Sequence, residues 1–195
     1  MTLADGPGPG VRAVRVTYLE MTEPGRLRPS PQPEGDVLLV RAERPTPELS
    51  WFFYRAVGAE WHWVDRLSWT QDQWLAWVSD PGHELWTCWV DGAPAGYAEL
   101  MRVGTECELA YFGLIPGFEG VGLGGWLLTR ALERAWDAEG TTRVWVHTCD
   151  LDGPAALPNY LARGMVEYRH EVEHRRVEDV GPPPPEWPQG LSSPG

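Results

Sequence analysis

Hydrophobic positions along this chain switch between a period of two and a period near three and a half, and the switches predict an alternation of strands and helices. Positions 11–21 alternate as a first strand and 37–42 as a second. Four prolines and two glycines between them, in 22–35, predict a loop. Leu49, Phe52, Phe53 and Ala56 carry helical spacing through 47–58, with Pro47 near the start and Gly58 at the stop. A second helix is expected after Thr70, because Gln73 three residues on completes a capping box; Trp74 and Trp77 share one of its faces. It stops near Asp80-Pro81-Gly82.

The segments 84–90 and 94–103 flank Asp91-Gly92, a strong hairpin signal, and 106–115 continues the meander. Helix 126–139 lines up Leu128, Ala131, Leu132, Ala135 and Trp136, with Gly140 as its stop. Strand 144–148 follows that helix, so it should run parallel to 106–115. A short helix over 155–163, closed by Gly164, leads to a last strand over 165–177 in which Val166, Tyr168, His170 and Val172 alternate. The Gly- and Pro-rich ends, 1–10 and 181–195, are expected to be disordered, leaving 11–180 as a single domain.

Composition narrows the function. A chain of 195 residues buries roughly 70% of its unfolded surface without staples. The net charge of −12, with only 16 Lys and Arg, excludes a nucleic-acid binder and mildly favours cationic partners such as amines. Cys88, Cys107 and Cys149 are odd in number and form no close pair, which fits a reducing compartment better than disulfides or zinc. No apolar run reaches membrane-spanning length and no signal peptide opens the chain, so a cytoplasmic protein with no membrane partner is expected. Oligomeric state is left open, with a homodimer allowed for.

The chemistry centres on Glu119-Gly120-Val121-Gly122-Leu123-Gly124-Gly125, between an apolar strand and a periodic helix. Bare backbone N–H groups at the opening of a helix, together with its dipole, form a cradle for phosphate. The spelling also satisfies the dinucleotide fingerprint GxGxxG, but Pro116-Gly117-Phe118 separate it from the strand and it lies past the middle of the chain, unlike a nucleotide fold. No Gly-Lys-Ser/Thr is present, so a P-loop is excluded.

Taken in order over about 37–177, the residues resemble the GNAT superfamily of N-acetyltransferases. Leu114-Ile115-Pro116 followed by Glu119-x-x-Gly122-x-Gly124 and a helix is similar to that family's acetyl-CoA site, in which the first position is usually Gln or Arg. The stretch Gly153 to Met165 is similar to the family's second landmark, with Ala156, Tyr160 and Gly164 in register, Met165 in place of Phe and Gly153 in place of Asn. The resemblance implies an α/β fold: a mixed, largely antiparallel sheet flanked by helices and splayed where Leu114 meets the acyl-CoA. It also implies direct acetyl transfer from acetyl-CoA to an amine, without a metal.

Residue roles follow from the resemblance. Leu114, Ile115, Val121, Gly122, Leu123, Gly124 and Gly125 are expected at the cofactor. Glu119 is expected to point outward, since its charge would repel pyrophosphate. Tyr160 aligns with the acid that protonates the leaving thiolate. Glu108 lies fourteen residues before Gly122 and aligns with a family base, with Glu106 as the lesser candidate. Trp61, Trp63, Asp65 and Arg66 fall in the connection that usually covers the acceptor, where indole faces and a carboxylate suit an ammonium. His147 is expected as a buried, satisfied histidine. His170 and His174, four apart on a strand, are too far separated to share a metal, and Cys149 has no necessary part in direct transfer. A small-molecule primary amine is the expected acceptor. A protein or peptide acceptor is the alternative, as is a non-catalytic acyl-CoA-binding module, because Glu119 and Gly153 depart from the pattern.

Overall fold

The structure, a computed structural model, describes residues 10–176. The ends expected to be disordered lie outside the described residues, Gly10 excepted. In chain order the elements are β1 (Val11–Met21), a 3-10 turn (Pro24–Arg26), β2 (Val37–Arg41), α1 (Pro47–Gly58), α2 (Gln71–Val78), β3 (His83–Val90), β4 (Ala93–Val103), β5 (Glu106–Leu114), α3 (Leu123–Trp136), β6 (Arg143–Cys149), α4 (Ala156–Ala162) and β7 (Val166–Arg176).

Local chemistry sets most of these boundaries. Thr46 accepts the Leu49 N–H at the start of α1, and Thr70 with Gln73 forms the full capping box of α2. Asp91 and Gly92 both take positive φ, 49° and 79°, as a two-residue hairpin turn between twisted strands requires. Helix α3 begins three residues earlier than expected, at Leu123, because its tertiary setting overrides the poor helix propensity of Gly124 and Gly125. It also ends earlier, at Trp136.

One seven-stranded sheet has the order β2-β3-β4-β5-β6-β1-β7. β3, β4 and β5 form the expected meander, and β6 runs parallel to β5 after the α3 crossover. β1 inserts between β6 and β7, antiparallel to both. Leu128, Ala131, Leu132 and Ala135 of α3, together with Tyr160 of α4, bury one face of the sheet. On the other face Phe53 and Val57 of α1 pack on Leu85 and Tyr97.

A bulge in β5 shapes the middle of the sheet. Leu100 opposes Leu109 and Glu99 opposes Tyr111, leaving Ala110 as the extra residue. The insertion reverses the side-chain phase: Cys107 and Leu109 face α3, but so do Phe112 and Leu114, while Tyr111 joins the α1 side. Pairing between β5 and β6 stops just before the bulge, at Glu108 opposite Trp145. Beyond that point the two strands part, and the sheet is splayed.

Candidate active site

The glycine turn follows β5 after the short link Ile115-Pro116-Gly117-Phe118. Gly120 and Gly122 hold left-handed backbone, φ 85° and 83°, where a side chain costs about 1–2 kcal/mol per residue. No heavy atom lies within 4 Å of where a β-carbon would stand on either, so the approach is open. Gly122 caps α3 but has no side-chain oxygen, and no cap hydrogen bond engages the first-turn N–H groups. The donors of Leu123, Gly124 and Gly125, with Val121 just ahead, therefore share the positive end of the helix dipole and fit a pyrophosphate. Glu119 does not intrude: its carboxylate accepts the Gly117 N–H at 2.8 Å and is held on its own loop.

α4 braces this turn. Asn159 donates its amide to the Gly124 carbonyl at 3.1 Å, and the Arg163 guanidinium lies flush against Gly125, where a β-carbon would collide with it. Sequence reasoning passes over both residues. The only sequence signal is that Asn159 stands beside Tyr160 in the second landmark.

The splayed edge of β5 supplies further donors. Ile115 gives its N–H to the Ala95 carbonyl of β4 at 2.9 Å. In an antiparallel ladder the N–H direction alternates, so Gly113 and Tyr111 also point toward β4, and Phe112 and Leu114 present theirs to the edge that β6 has left. Leu114 thus sits where a cofactor was expected, whereas Ile115 has its N–H engaged in the sheet and its side chain packed on the α1 side. Tyr160 lies across from this edge, only 5% exposed, its ring 6.1 Å from that of Phe112. Burial, then the nearby Asp152 carboxylate, push its pKa up, so the phenol keeps the proton that an acid must give. Asp152 is itself fixed by Thr148 Oγ1 at 2.6 Å and the Cys149 N–H at 2.9 Å.

On the opposite side of the splay stands Glu108, its Oε1 3.5 Å from His147 Nδ1. His147 departs from expectation: its side chain is 44% exposed, because α3 and α4 cover the other face of β6. Glu106 is already engaged by Arg143 at 2.8 Å, and the same guanidinium holds Glu20 at 2.7 Å.

The connection between α1 and α2 closes one side of the opening. Asp65 accepts hydrogen bonds from Tyr54 at 2.8 Å and Tyr111 at 2.6 Å, yet its side chain stays 64% exposed. Trp63 packs against Tyr111, with ring centroids 5.1 Å apart, and Trp61 reaches the notch at Gly153. Arg66 is placed differently: at 7% exposure it points into the fold. Its Cζ lies 3.7 Å from the Trp77 ring, 4.2 Å from Tyr111 and 4.3 Å from Trp69, and Nη1 is 3.8 Å from the buried Glu99. Ser50 and Trp77 donate hydrogen bonds to that carboxylate, and His83 Nε2 lies 3.6 Å from it. Arg66 thus anchors the connection from beneath, while Asp65, Trp61 and Trp63 border the opening.

Comparison with known proteins agrees with this geometry. A model of the acetyltransferase (GNAT) family matches residues 46–165. Similar solved structures include a GCN5-related N-acetyltransferase from Kribbella flavida, with TM-score 0.60 and 20% identity, covering 85% of this chain and 59% of that one. Another, from Sphaerobacter thermophilus, has TM-score 0.58 and 18% identity, covering 85% of this chain and 52% of that one. An aminoglycoside acetyltransferase from an uncultured soil metagenomic sample has TM-score 0.55 and 11% identity, covering 65% and 86% respectively. The chain therefore spans little more than half the length of the first two. Among curated protein sequences none matches. The family match takes in more than half of the chain and includes both the glycine turn and Tyr160, and the chain belongs to the GNAT acetyltransferase family.

Proposed function

We propose that this protein transfers an acetyl group from acetyl-CoA directly to a primary amine of a small-molecule acceptor. The observation that carries the reading is the splay itself: the open N–H edge of β5 runs into an uncapped helix N-terminus, with Tyr160 on one side and Glu108 on the other. Backbone N–H groups of Val121 and Leu123 to Gly125 would hold the pyrophosphate of CoA, and those of Phe112 and Leu114 its amide chain and carbonyl oxygen. Acetyl-CoA supplies the activated thioester.

The amine needs a free lone pair, and at neutral pH most primary amines carry an extra proton. Glu108 provides the negative charge toward which that proton leaves, and Tyr160 protonates the sulfur as it departs. Asp65, exposed and already oriented by two tyrosine hydroxyls, suits the ammonium of the acceptor. Trp61, seated at Gly153, bridges the opening between α1 and the β6–α4 loop; so bridged, it favours a compact acceptor over an extended peptide.

Release of free CoA thiol, followed with a panel of small amines and with peptides, tests the reading. Turnover with small amines is expected. Faster turnover on peptides would make the protein a peptide acetyltransferase, and tight CoA binding with no thiol released on any acceptor would leave only an acyl-CoA-binding module.

A further inference from the structure

β5 and β6 lie side by side over only three pairs, the last being Glu108 opposite Trp145. His147, two residues past Trp145 and opposite Tyr18 of β1, shares the face of Glu108 and is the first β6 residue on that face with no β5 neighbour. Its ring is flanked by Tyr18, with centroids 5.8 Å apart, and by Trp145 at 6.3 Å. Nδ1 is directed at Glu108, while Nε2 has no partner among the described residues and belongs to a side chain nearly half exposed at the mouth of the splay. One nitrogen is tied to a carboxylate and the other is open, the arrangement a base needs.

We propose that His147, backed by Glu108, is the group that takes the proton from the acceptor amine. The inference rests on the acetyl-transfer reading and deepens it. With Nδ1–H donated to Glu108, the Nε2 lone pair accepts one proton from the ammonium and later passes it to water. The freed nitrogen lone pair forms the N–C bond while the C–S bond breaks. Tyr160 gives its proton to the sulfur and regains one from the same nitrogen, so two protons leave the amine, one to water and one to the thiol. Glu108 then acts through His147 as a positioning residue.

Charged groups facing the imidazole come from three directions. The Glu108 hydrogen bond is the strongest influence and raises the His147 pKa; burial opposes it, Glu108's and Asp152's charges add to it and Arg175 of β7 subtracts. The net effect is upward. An imidazole is a base only when neutral, so the rate should climb as pH rises through its pKa, and removing the Glu108 charge should move that climb to lower pH.

The experiment is the pH dependence of kcat/KM for wild type, His147→Gln and Glu108→Gln, with the His147 ring titrated by NMR in parallel. In wild type the rate limb should coincide with the ring titration. His147→Gln should lose about a hundredfold to a thousandfold and its limb should vanish. Glu108→Gln should keep a limb, moved to lower pH together with the ring titration. A His147→Gln enzyme with the wild-type limb, or a limb that does not follow the ring titration, would overturn the role of His147 and leave acetyl transfer standing. No thiol release by wild type from any amine would overturn both.

Discussion

Trp61 fills the notch at Gly153: a β-carbon placed on that glycine would stand 3.1 Å from the indole ring. Where the family pattern has an asparagine, this chain has an aromatic ring brought in from the α1–α2 connection. Gly153→Asn should push the indole out of the notch and reopen the mouth. The expected result is an acceptor KM raised roughly tenfold with CoA affinity little changed, read from steady-state kinetics and calorimetry. An unaltered acceptor KM would mean that Trp61 does not border the acceptor.

Tyr160→Phe removes only a hydroxyl from a packed ring. The transfer rate should fall by roughly tenfold to a thousandfold with CoA affinity unchanged, the pattern expected for loss of an acid. Single-turnover thiol release and CoA titration together decide it, and a normal rate would reduce Tyr160 to a packing role.

Paired with Gly124→Glu, Gly124→Ala separates the phosphate site from the fold. Its β-carbon would meet Leu114 Cδ1 at 3.6 Å, an ordinary contact, and alanine favours a helix by about 1 kcal/mol over glycine. Thermal stability should hold or rise with CoA affinity close to wild type, because the family pattern takes Gly or Ala at this position. Gly124→Glu should instead cut CoA affinity at least about tenfold, by setting a carboxylate beside the N–H donors of the helix start. A valine at Gly122 is a poorer test, since the left-handed backbone there would strain the fold as well. Unchanged CoA binding in Gly124→Glu would mean that phosphate sits elsewhere.

Arg66→Met keeps the apolar stem but removes the guanidinium beside the buried Glu99, which is left with Ser50, Trp77 and His83. Breaking such a pair costs about 3–5 kcal/mol, on the order of 10 °C in Tm for a chain of this size. Adding Glu99→Gln should recover part of the loss. A melting temperature within about a degree of wild type would show that the aromatic rings alone hold the connection.

Local signals were the legible part. Thr70 with Gln73, Asp91-Gly92 and Pro47 each act within four residues, and each element appeared where its signal stood; the Thr46 cap ahead of Pro47 emerged only in the structure. The glycine turn was readable too, because its chemistry is backbone chemistry. What stayed hidden depends on register and on partners distant in sequence. Arg66 looked like an acceptor ligand until four elements closed around it. His147 looked like a core residue, because nothing local reveals that Glu108 is the last residue of β5 to pair with β6. The early start of α3 was obscured by the same glycines that make it useful.

The place of β1 in the sheet has a consequence in time. Thr17 meets His170 across 153 positions of chain, and among the described residues β1 pairs only with β6 and β7. A chain growing from its N-terminus must carry this strand unpaired until β6 and β7 have been made, and long-range pairing of this kind is slow. Both the glycine turn and Glu108 are synthesised before β6 exists to face them. The cleft therefore acquires its second wall, and with it His147, only after the β3–β5 meander that forms the first.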